Sequence, residues 1–450
     1  MRKFLLLFAA ATMSLSAVAE GLPINNLSAR QSGMAGVGTG MNLGAESVWF
    51  NPAAVVMQNS LLDVSAGFTG IRSTVNFNDS NRTATTDNPL SMPFFAYASV
   101  RPIKWLAVGV AVNTPQSSSI DWGDSWSGAN LCQSASLQQY NIQPTLSIRL
   151  GEHLSIGTGL MVAWGDFSFS RSILPIGDGA LDYNTELGDL SSLGNNTVSL
   201  QVGGASHPAL GFNAGIFWEP NKIFSFGVSY RHQITMQITE GSAELRYADS
   251  PLLSQNLSNI FDKIVGAGGE ALSDVKVATN IVTPGVISAG LSIHPLNIIE
   301  LAADVQYNLW SSYKDMSITL NSAAGSMDVA NSALDKSYKN TFTGRVGLQV
   351  SPLGWLAARA GVYYDQSPVC EGEMSPAMPS MSKLGLTAGL SLRFLRLIYL
   401  DLAYGYAEPF GGGRTDFAEY IHNFTQEVKT FGGTYSSEAH TFSVGVRVSF

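Results

Sequence analysis

Along most of the chain, apolar and polar residues alternate with a period of two. At the C-terminus Phe442, Val444, Val446, Val448 and Phe450 are separated by Ser443, Gly445, Arg447 and Ser449. Leu384, Leu386, Ala388, Leu390, Leu392 and Phe394 repeat the pattern, as do Ile299–Leu309 and Leu210–Trp218. Period two places successive side chains on opposite faces of a strand. The polar face is mostly Gly, Ser, Thr and Asn, with scattered Arg, Asp and Glu. A soluble sandwich shows more charge to water; this face suits a filled or wet lumen.

About fourteen such segments are expected, beginning near Leu61, Pro93, Lys104, Ser136, Glu152, Ala205, Ile223, Val275, Asn297, Ser337, Trp355, Met381, Leu397 and Ser437. Their connections alternate in length. Arg101–Ile103, Gly151, Glu219–Lys222, Pro295–Leu296, Pro352–Gly354 and Leu395–Arg396 are short, whereas 172–204 and 242–274 are long. Short periplasmic turns and long outer loops mark a transmembrane barrel with an even number of antiparallel strands. Trp105, Trp218, Phe224 and Trp355 flank the short turns. Trp164, Tyr230, Tyr307, Trp310, Tyr404 and Tyr406 lie toward the other ends, so two aromatic belts are expected.

Composition agrees. Only 13% of the 450 residues are charged while 45% are apolar, and about a quarter charged is usual in soluble domains. The net charge of −9 excludes nucleic acid as a partner, because that needs a basic face. Arg2, Lys3, the apolar run from Phe4 and Ala17-Val18-Ala19 read as a cleavable export signal over residues 1–19. No later stretch resembles a transmembrane helix, and an exported chain then spans lipid only as a closed barrel. Residues 20–60 do not alternate. Their small residues suggest short helices and turns, a compact plug inside a barrel of residues 61–450 that is too wide for its own side chains to fill.

The segment ending Trp49-Phe50-Asn51-Pro52-Ala53 resembles the hatch of the FadL/TodX outer-membrane transporters, which carry an NPA motif there. Gly211–Ile216, Ser229-Tyr230-Arg231, Leu309-Trp310-Ser311 and Asp365–Val369 are also similar to that family, in order along nearly the whole mature chain. The resemblance implies a fourteen-stranded, hatch-plugged barrel in the outer membrane of a Gram-negative bacterium. It would pass long-chain fatty acids or other lipophilic and aromatic compounds, with no cofactor and no enzymatic step. It also implies ligand capture, hatch rearrangement and lateral release at an inward kink of the third strand. Asn113-Thr114-Pro115 is the candidate kink, although Pro115 reads equally as the strand's end. Arg171 falls where the family shows an arginine and is the head-group candidate. Ser317 stands where the fatty-acid prototype has a lysine, so a neutral ligand is also open. Partners expected beyond the ligand are outer-membrane lipid and lipopolysaccharide, and the assembly machinery that reads the terminal aromatic residue.

Other chemistry finds less support. The six histidines show no metal-ligand spacing, and no motif marks a Ser–His pair. A haem receptor would use His232 or His422, and an adhesin the long loops. Lumenal arginines 149, 171, 231, 345, 359, 393 and 447 are expected to pair mostly with acids such as Asp304, Asp365 or Glu300. Cys132 and Cys370 both fall in outer loops, where a disulfide or two free thiols are equally open.

Overall fold

The structure, a computed structural model, describes residues 26–124, 126–172, 198–247, 276–312, 318–322, 325–328, 338–394, 397–421 and 428–450. The expected signal over residues 1–19 and the loops spanning 173–197 and 248–275 lie outside the described residues.

Fourteen strands form one closed antiparallel sheet. In chain order they are β1 (Leu62–Asn78), β2 (Phe94–Ile103), β3 (Leu106–Asp121), β4 (Ser134–Leu150) and β5 (Leu154–Ser172). Three strands in two pieces follow: β6 (Val198–Ala205 and Ala209–Trp218), β7 (Phe224–Arg231 and Ile234–Tyr247) and β8 (Lys276–Thr283 and Val286–Leu296). The rest are β9 (Ile299–Asn308), β10 (Thr341–Leu353), β11 (Leu356–Asp365), β12 (Lys383–Phe394), β13 (Ile398–Pro409) and β14 (Val428–Ser449). The short strands Thr83–Thr85, Ile318–Ser322, Gly325–Asp328 and Arg414–Ile421 extend the sheet beyond the ring. The β1–β14 pairing, from Asp63↔Ser449 to Asn78↔Thr434, closes the ring. Phe450 completes it: its carbonyl accepts from the Leu61 amide (2.8 Å), and its own amide donates to the Leu62 carbonyl (2.9 Å). A sheet that closes leaves no edge for lipid to strand.

Three short connections lie two residues later than the sequence suggests. Pro102, Pro295 and Pro352 remain inside β2, β8 and β10, each at a register shift, and the turns are Lys104-Trp105, Asn297-Ile298 and Gly354-Trp355. Proline has no N–H for the ladder, and a bulge is where a ladder bond is missing in any case. Trp105, Trp218 and Trp355 are exposed beside these turns, as belt residues should be. Trp310 is not a belt residue. It sits in the turn Trp310–Ser312 after β9 and packs against the interior.

The wall changes character partway up. In its lower part the outward residues are apolar and exposed: Val108, Ile142, Ile156, Ile216, Leu291 and Val346. The inward residues there are buried and polar: Ser65, Gln143, Ser147, Ser155, Asn213, Ser292 and Asp304. In its upper part Phe77, Leu137, Phe167, Phe169, Val202, Met236 and Ile281 are buried inward. Asn76, Asp166, Thr235 and Asn280 are exposed there. Apolar-out therefore becomes apolar-in.

Four strands make this switch by an irregularity. Thr114-Pro115 in β3 stand opposite the single residue Tyr140. Ser206–Pro208 interrupt β6, His232-Gln233 interrupt β7, and Pro284-Gly285 interrupt β8. A slip of one residue turns every later side chain to the other face. Thus Val112 faces out below the β3 bulge and Ile120 faces in above it.

Candidate functional site

The lower lumen is filled by residues 26–58, none of which is exposed. Two four-residue helices, α1 (Ala29–Ser32) and α2 (Ser47–Phe50), and the 3-10 turn Pro52–Met57 give this segment its shape. Ser28 caps α1 by accepting from the Gln31 amide (3.2 Å). Asn51 caps the 3-10 turn: its Oδ1 accepts from the Ala53 amide (3.1 Å), and Pro52 occupies the first turn, where no N–H is needed. Leu27, Met34, Val37, Met41, Val48 and Val55 form the segment's apolar interior.

Helices this short leave most of their backbone carbonyls unbonded, and the polar inward face of the wall satisfies them. Gln143 Nε2 donates to the Val48 carbonyl (2.6 Å), Ser225 Oγ to that of Gly40 (2.7 Å) and Ser229 Oγ to that of Phe50 (3.2 Å). Ser147 and Ser155 both donate to the Ala53 carbonyl (2.9 and 2.7 Å). In the other direction, Asp304 Oδ2 accepts from the Gly38 and Thr39 amides (2.8 and 2.9 Å), and Thr387 Oγ1 from the Ala35 amide (2.9 Å). Asn51 Nδ2 donates to the Thr39 carbonyl (3.0 Å) and to the β6 carbonyl of Ile216 (3.1 Å). Such proximity needs bare backbone on the wall. A side chain at Gly215 would collide with Asn51 Oδ1, and one at Gly157 with the backbone of Pro52.

Charge is handled in the same layer. Glu46 is buried and accepts from Ser28 (2.8 Å) and Ser65 (2.7 Å). Burial raises its carboxyl above the usual range, with Arg447 and Arg30 opposing. Asp401 is the main acid of the arginines: Arg447 Nε donates to it at 2.6 Å, Arg359 Nη1 lies 3.5 Å away, and Ser391 Oγ also donates. The sequence reading had not singled out Asp401. Glu300 meets Arg30 (3.9 Å) and His294 (3.3 Å), while Asp304, opposite Arg345 across the ladder, mainly holds the N-terminal segment. Arg393 instead sits over the Tyr399 ring.

Above this segment lies an open cavity of about 1070 Å³. Its floor is Trp49. Its walls include Met161, Ile234, Val286, Trp310, Pro115 and Pro284, and Pro368, Met378 and Met381 come from the β11–β12 loop. Apolar atoms make up most of the lining surface, and Gln116, Gln139, Thr283, Gln306, Asn308 and Gln366 add uncharged polar groups to it. Such a mixed, mainly apolar surface is common in small-molecule sites, and methionine adapts to varied shapes. Arg231, Lys383 and Asp365 are the charged residues in the lining. Higher up, Trp122 and Trp126 stack at 4.4 Å, Phe77 and Phe431 stack at 5.1 Å, and Trp122 Nε1 donates to the Pro376 carbonyl (2.8 Å).

The candidate residues from sequence fall as follows. Asn51, Pro52 and Ala53 join the N-terminal segment to β4, β5 and β6. Asn113, Thr114 and Pro115 do not end β3, which runs on to Asp121 through the bulge. The β2–β3 ladder stops at Phe95↔Asn113, and Pro115 lines the cavity. Arg171 lies near the top of β5, donates to the Asn130 carbonyl (3.3 Å) and is not among the cavity's lining residues. Ser317 and His422 lie outside the described residues. His232 is at the cavity's edge, stacked on Phe212 (4.9 Å) and hydrogen-bonded to the Tyr230 hydroxyl (3.0 Å). Cys132 and Cys370 are both free thiols.

Comparison with known proteins places this architecture. The profile of the family described as Outer membrane protein transport protein (OMPP1/FadL/TodX) matches residues 10–450. The Long-chain fatty acid transport protein of Salmonella typhi is 22% identical over 412 residues, 90% of this chain and 91% of that protein. Outer membrane protein P1 of Haemophilus influenzae is 21% identical over 371 residues, 76% of this chain and 72% of that protein. Among solved structures, a FadL homologue from Pseudomonas aeruginosa superposes with a TM-score of 0.74 at 16% identity, covering 94% of this chain and 98% of the other. The toluene transporter TodX of P. putida does so at 0.66 and 15%, covering 94% and 98%. This closed barrel therefore belongs to the outer membrane protein transport family of FadL and TodX, and it is a transport protein of the outer membrane, not an enzyme.

Proposed function

We propose that the protein carries hydrophobic small molecules, either long-chain fatty acids or aromatic hydrocarbons, into the outer membrane from outside. Relatives are named for both chemistries. The observation that carries this reading is the cavity itself, mainly apolar in surface, floored by Trp49 and reaching the wall at Pro115. A water-filled pore helps such solutes little, since apolar surface left in water costs roughly 25 cal/mol per Å². A path through this cavity keeps them out of water.

In this mechanism residues 20–60 act as a hatch that blocks the aqueous route to the periplasm. Ligand captured above it leaves sideways at β3, where the β2 ladder has ended and the bulge diverts the strand. Backbone groups freed there need polar surroundings, which lipid does not offer. The lumen is polar at this level: the Asn113 side chain accepts from Asn141 Nδ2 (3.2 Å) and donates to the Tyr97 hydroxyl (3.4 Å). Lipid and lipopolysaccharide surround the apolar belt, and the assembly machinery recognises the strand ending at Phe450.

The test is uptake of labelled oleate and of toluene by cells that lack their own transporter and express this chain. Deleting Pro115 removes the extra residue and straightens β3 into an even register with β4, with Ile120 still opposite Ala135. Uptake should fall at least about tenfold, while heat-modifiable migration shows a folded barrel. Wild-type uptake by a folded variant would reject lateral release at β3, and a wild-type chain that takes up neither compound would reject the transport reading.

A further inference from the structure

Arg231 differs from the ion-paired arginines of the interior, and it is the arginine among the cavity's lining residues. Arg359 and Arg447 share Asp401, and Arg30 faces Glu300. Arg345 lies opposite Asp304, and Arg414 holds Asp416 at 2.5 Å. No carboxylate among the described residues pairs with Arg231. Its guanidinium lies over the Trp49 ring at 3.6 Å and makes a single hydrogen bond, from Nη2 to the Trp49 carbonyl (2.9 Å). A guanidinium has five N–H donors, so four are left. Its Nε is enclosed without a partner, and so is the indole Nε1 of Trp49, which can only donate. Enclosed donors without acceptors are rare and costly in folded proteins. Here two belong to touching residues, one of them cationic, and both residues line the same apolar cavity.

We propose that Arg231 and Trp49 form the head-group site of this cavity and that it accepts a carboxylate. The inference rests on the transport reading above and adds where the polar end of the ligand is held. A carboxylate offers two oxygens with several lone pairs, which matches the unused guanidinium donors and the indole N–H, and charge-assisted bonds of this kind are strong. The ligand's apolar tail then lies along Met161, Ile234, Met378 and Met381. The other cation of the lining, Lys383, stands directly across the ladder from Asp365, so its charge is already answered. Trp49 belongs to the N-terminal segment, so a head group bound there touches the floor of the cavity and not only its wall. The ring-stacked guanidinium is already oriented, and little side-chain freedom remains to be lost when the ligand arrives.

The experiment uses the full-length mature protein in detergent and two probes of equal tail length, palmitate and methyl palmitate, with binding followed by isothermal titration. Arg231→Met removes the donors and the charge while keeping an apolar stem. Palmitate should bind at least about tenfold more weakly to it, with methyl palmitate unchanged. Arg231→Lys keeps the charge but loses the planar fork and should lie between. Trp49→Phe removes the indole N–H, keeps a smaller aromatic ring under the guanidinium, and should weaken palmitate a few-fold more than the ester. Parallel weakening of acid and ester would show that the pair only holds the segment in place, and unchanged palmitate binding by a folded Arg231→Met protein would likewise overturn the proposal. A wild-type protein that binds the ester and not the acid would overturn the head-group site alone. One that binds neither probe nor toluene would fail the transport reading on which it rests.

Discussion

The lower and upper parts of this barrel solve opposite solvent problems with the same strands. The lower wall meets lipid outside and a polypeptide backbone inside. It is therefore apolar outward, while Ser, Thr, Asn and Gln face inward to bond the N-terminal segment. The upper wall is polar outward, as water requires, and encloses an apolar chamber. Which face is apolar thus depends on what lies beyond it. β4 and β5 meet the change of solvent by changing residue types in an unbroken register, and four other strands meet it by changing register. The irregularities in β3, β6, β7 and β8 supply that change, at the level of the cavity. A bulge that looks like a defect in a ladder is here the element that lets one strand serve both environments.

The comparison breaks most severely if the lower layer loses an anchor. Asp304 accepts two amides of the N-terminal segment and faces Arg345. In Asp304→Ala, both amides lose a buried acceptor, at about 1–3 kcal/mol for each, and Arg345 loses the negative charge across the ladder from it. The segment should loosen while the upper chamber persists. Planar-bilayer conductance should rise, and sites within residues 26–58 should become open to protease. Asp304→Asn keeps an acceptor and should show a smaller change. Unaltered conductance in Asp304→Ala would mean that the segment is held by its apolar packing and not by the wall's polar face.

A smaller effect is expected one contact further along. Asn51→Ala removes the cap of the 3-10 turn and the tie to Ile216. A lost cap costs about 0.5–2 kcal/mol, and the segment's remaining bonds should keep it in place. Gly215→Ala attacks the same contact from the wall by steric exclusion, because its methyl would occupy the position of Asn51 Oδ1. Both variants should assemble into heat-modifiable barrels with reduced uptake, Gly215→Ala at least as strongly affected. Normal uptake in both would separate the motif from function.

Much of this was legible in the sequence. Fourteen strands, their alternation and the alternation of loop lengths could be read because each lipid-facing strand repeats Val, Leu, Ile or Phe at every second place. Most strand starts fell within about two residues of their positions. The β14 start near Ser437 was late, because Val428–Tyr435 pairs with Arg414–Ile421 beyond the ring and lacks the lipid-facing pattern. The change of face was missed because reading period two within a segment says nothing of which face is inside, and the interruptions at Ser206, His232 and Pro284 looked like ordinary loop residues. The polar inward face was read as suiting a filled or wet lumen. Its Ser, Thr and Asn are donors and acceptors for another stretch of backbone, a match that appears only when residues nearly two hundred apart are brought together. Arg231 was one arginine among seven. What distinguishes it is its place in the cavity lining, over Trp49 and with no carboxylate paired to it, which spacing along the chain does not reveal.

The smallest expected effect probes the upper chamber without disturbing it. Cys132 is fully buried in the β3–β4 loop, where Trp126 Nε1 donates to its carbonyl at 2.7 Å, and burial pushes its thiol well up. Cys370 is half-buried in the β11–β12 loop, and its carbonyl accepts from Arg414 Nη2 at 2.8 Å. The thiolate is the species that reacts, so Cys132 is protected twice, by access and by ionisation. Alkylation of the native protein at pH 8 should label Cys370 and leave Cys132 much slower, because it is enclosed and its thiolate fraction is suppressed. Denaturation should make both react, without reductant, because neither sulfur is bonded to another. Rapid labelling of Cys132 in the native state would mean that the upper chamber opens to water on the time scale of the reaction. The apolar-in face would then be a surface exposed intermittently, and the contrast with the tightly bonded lower layer would be one of mobility as well as polarity. If neither cysteine reacts in the unreduced, denatured protein, a disulfide joins the two loops instead, and the chamber's roof is held by a covalent bond in place of the aromatic packing around Trp122 and Trp126.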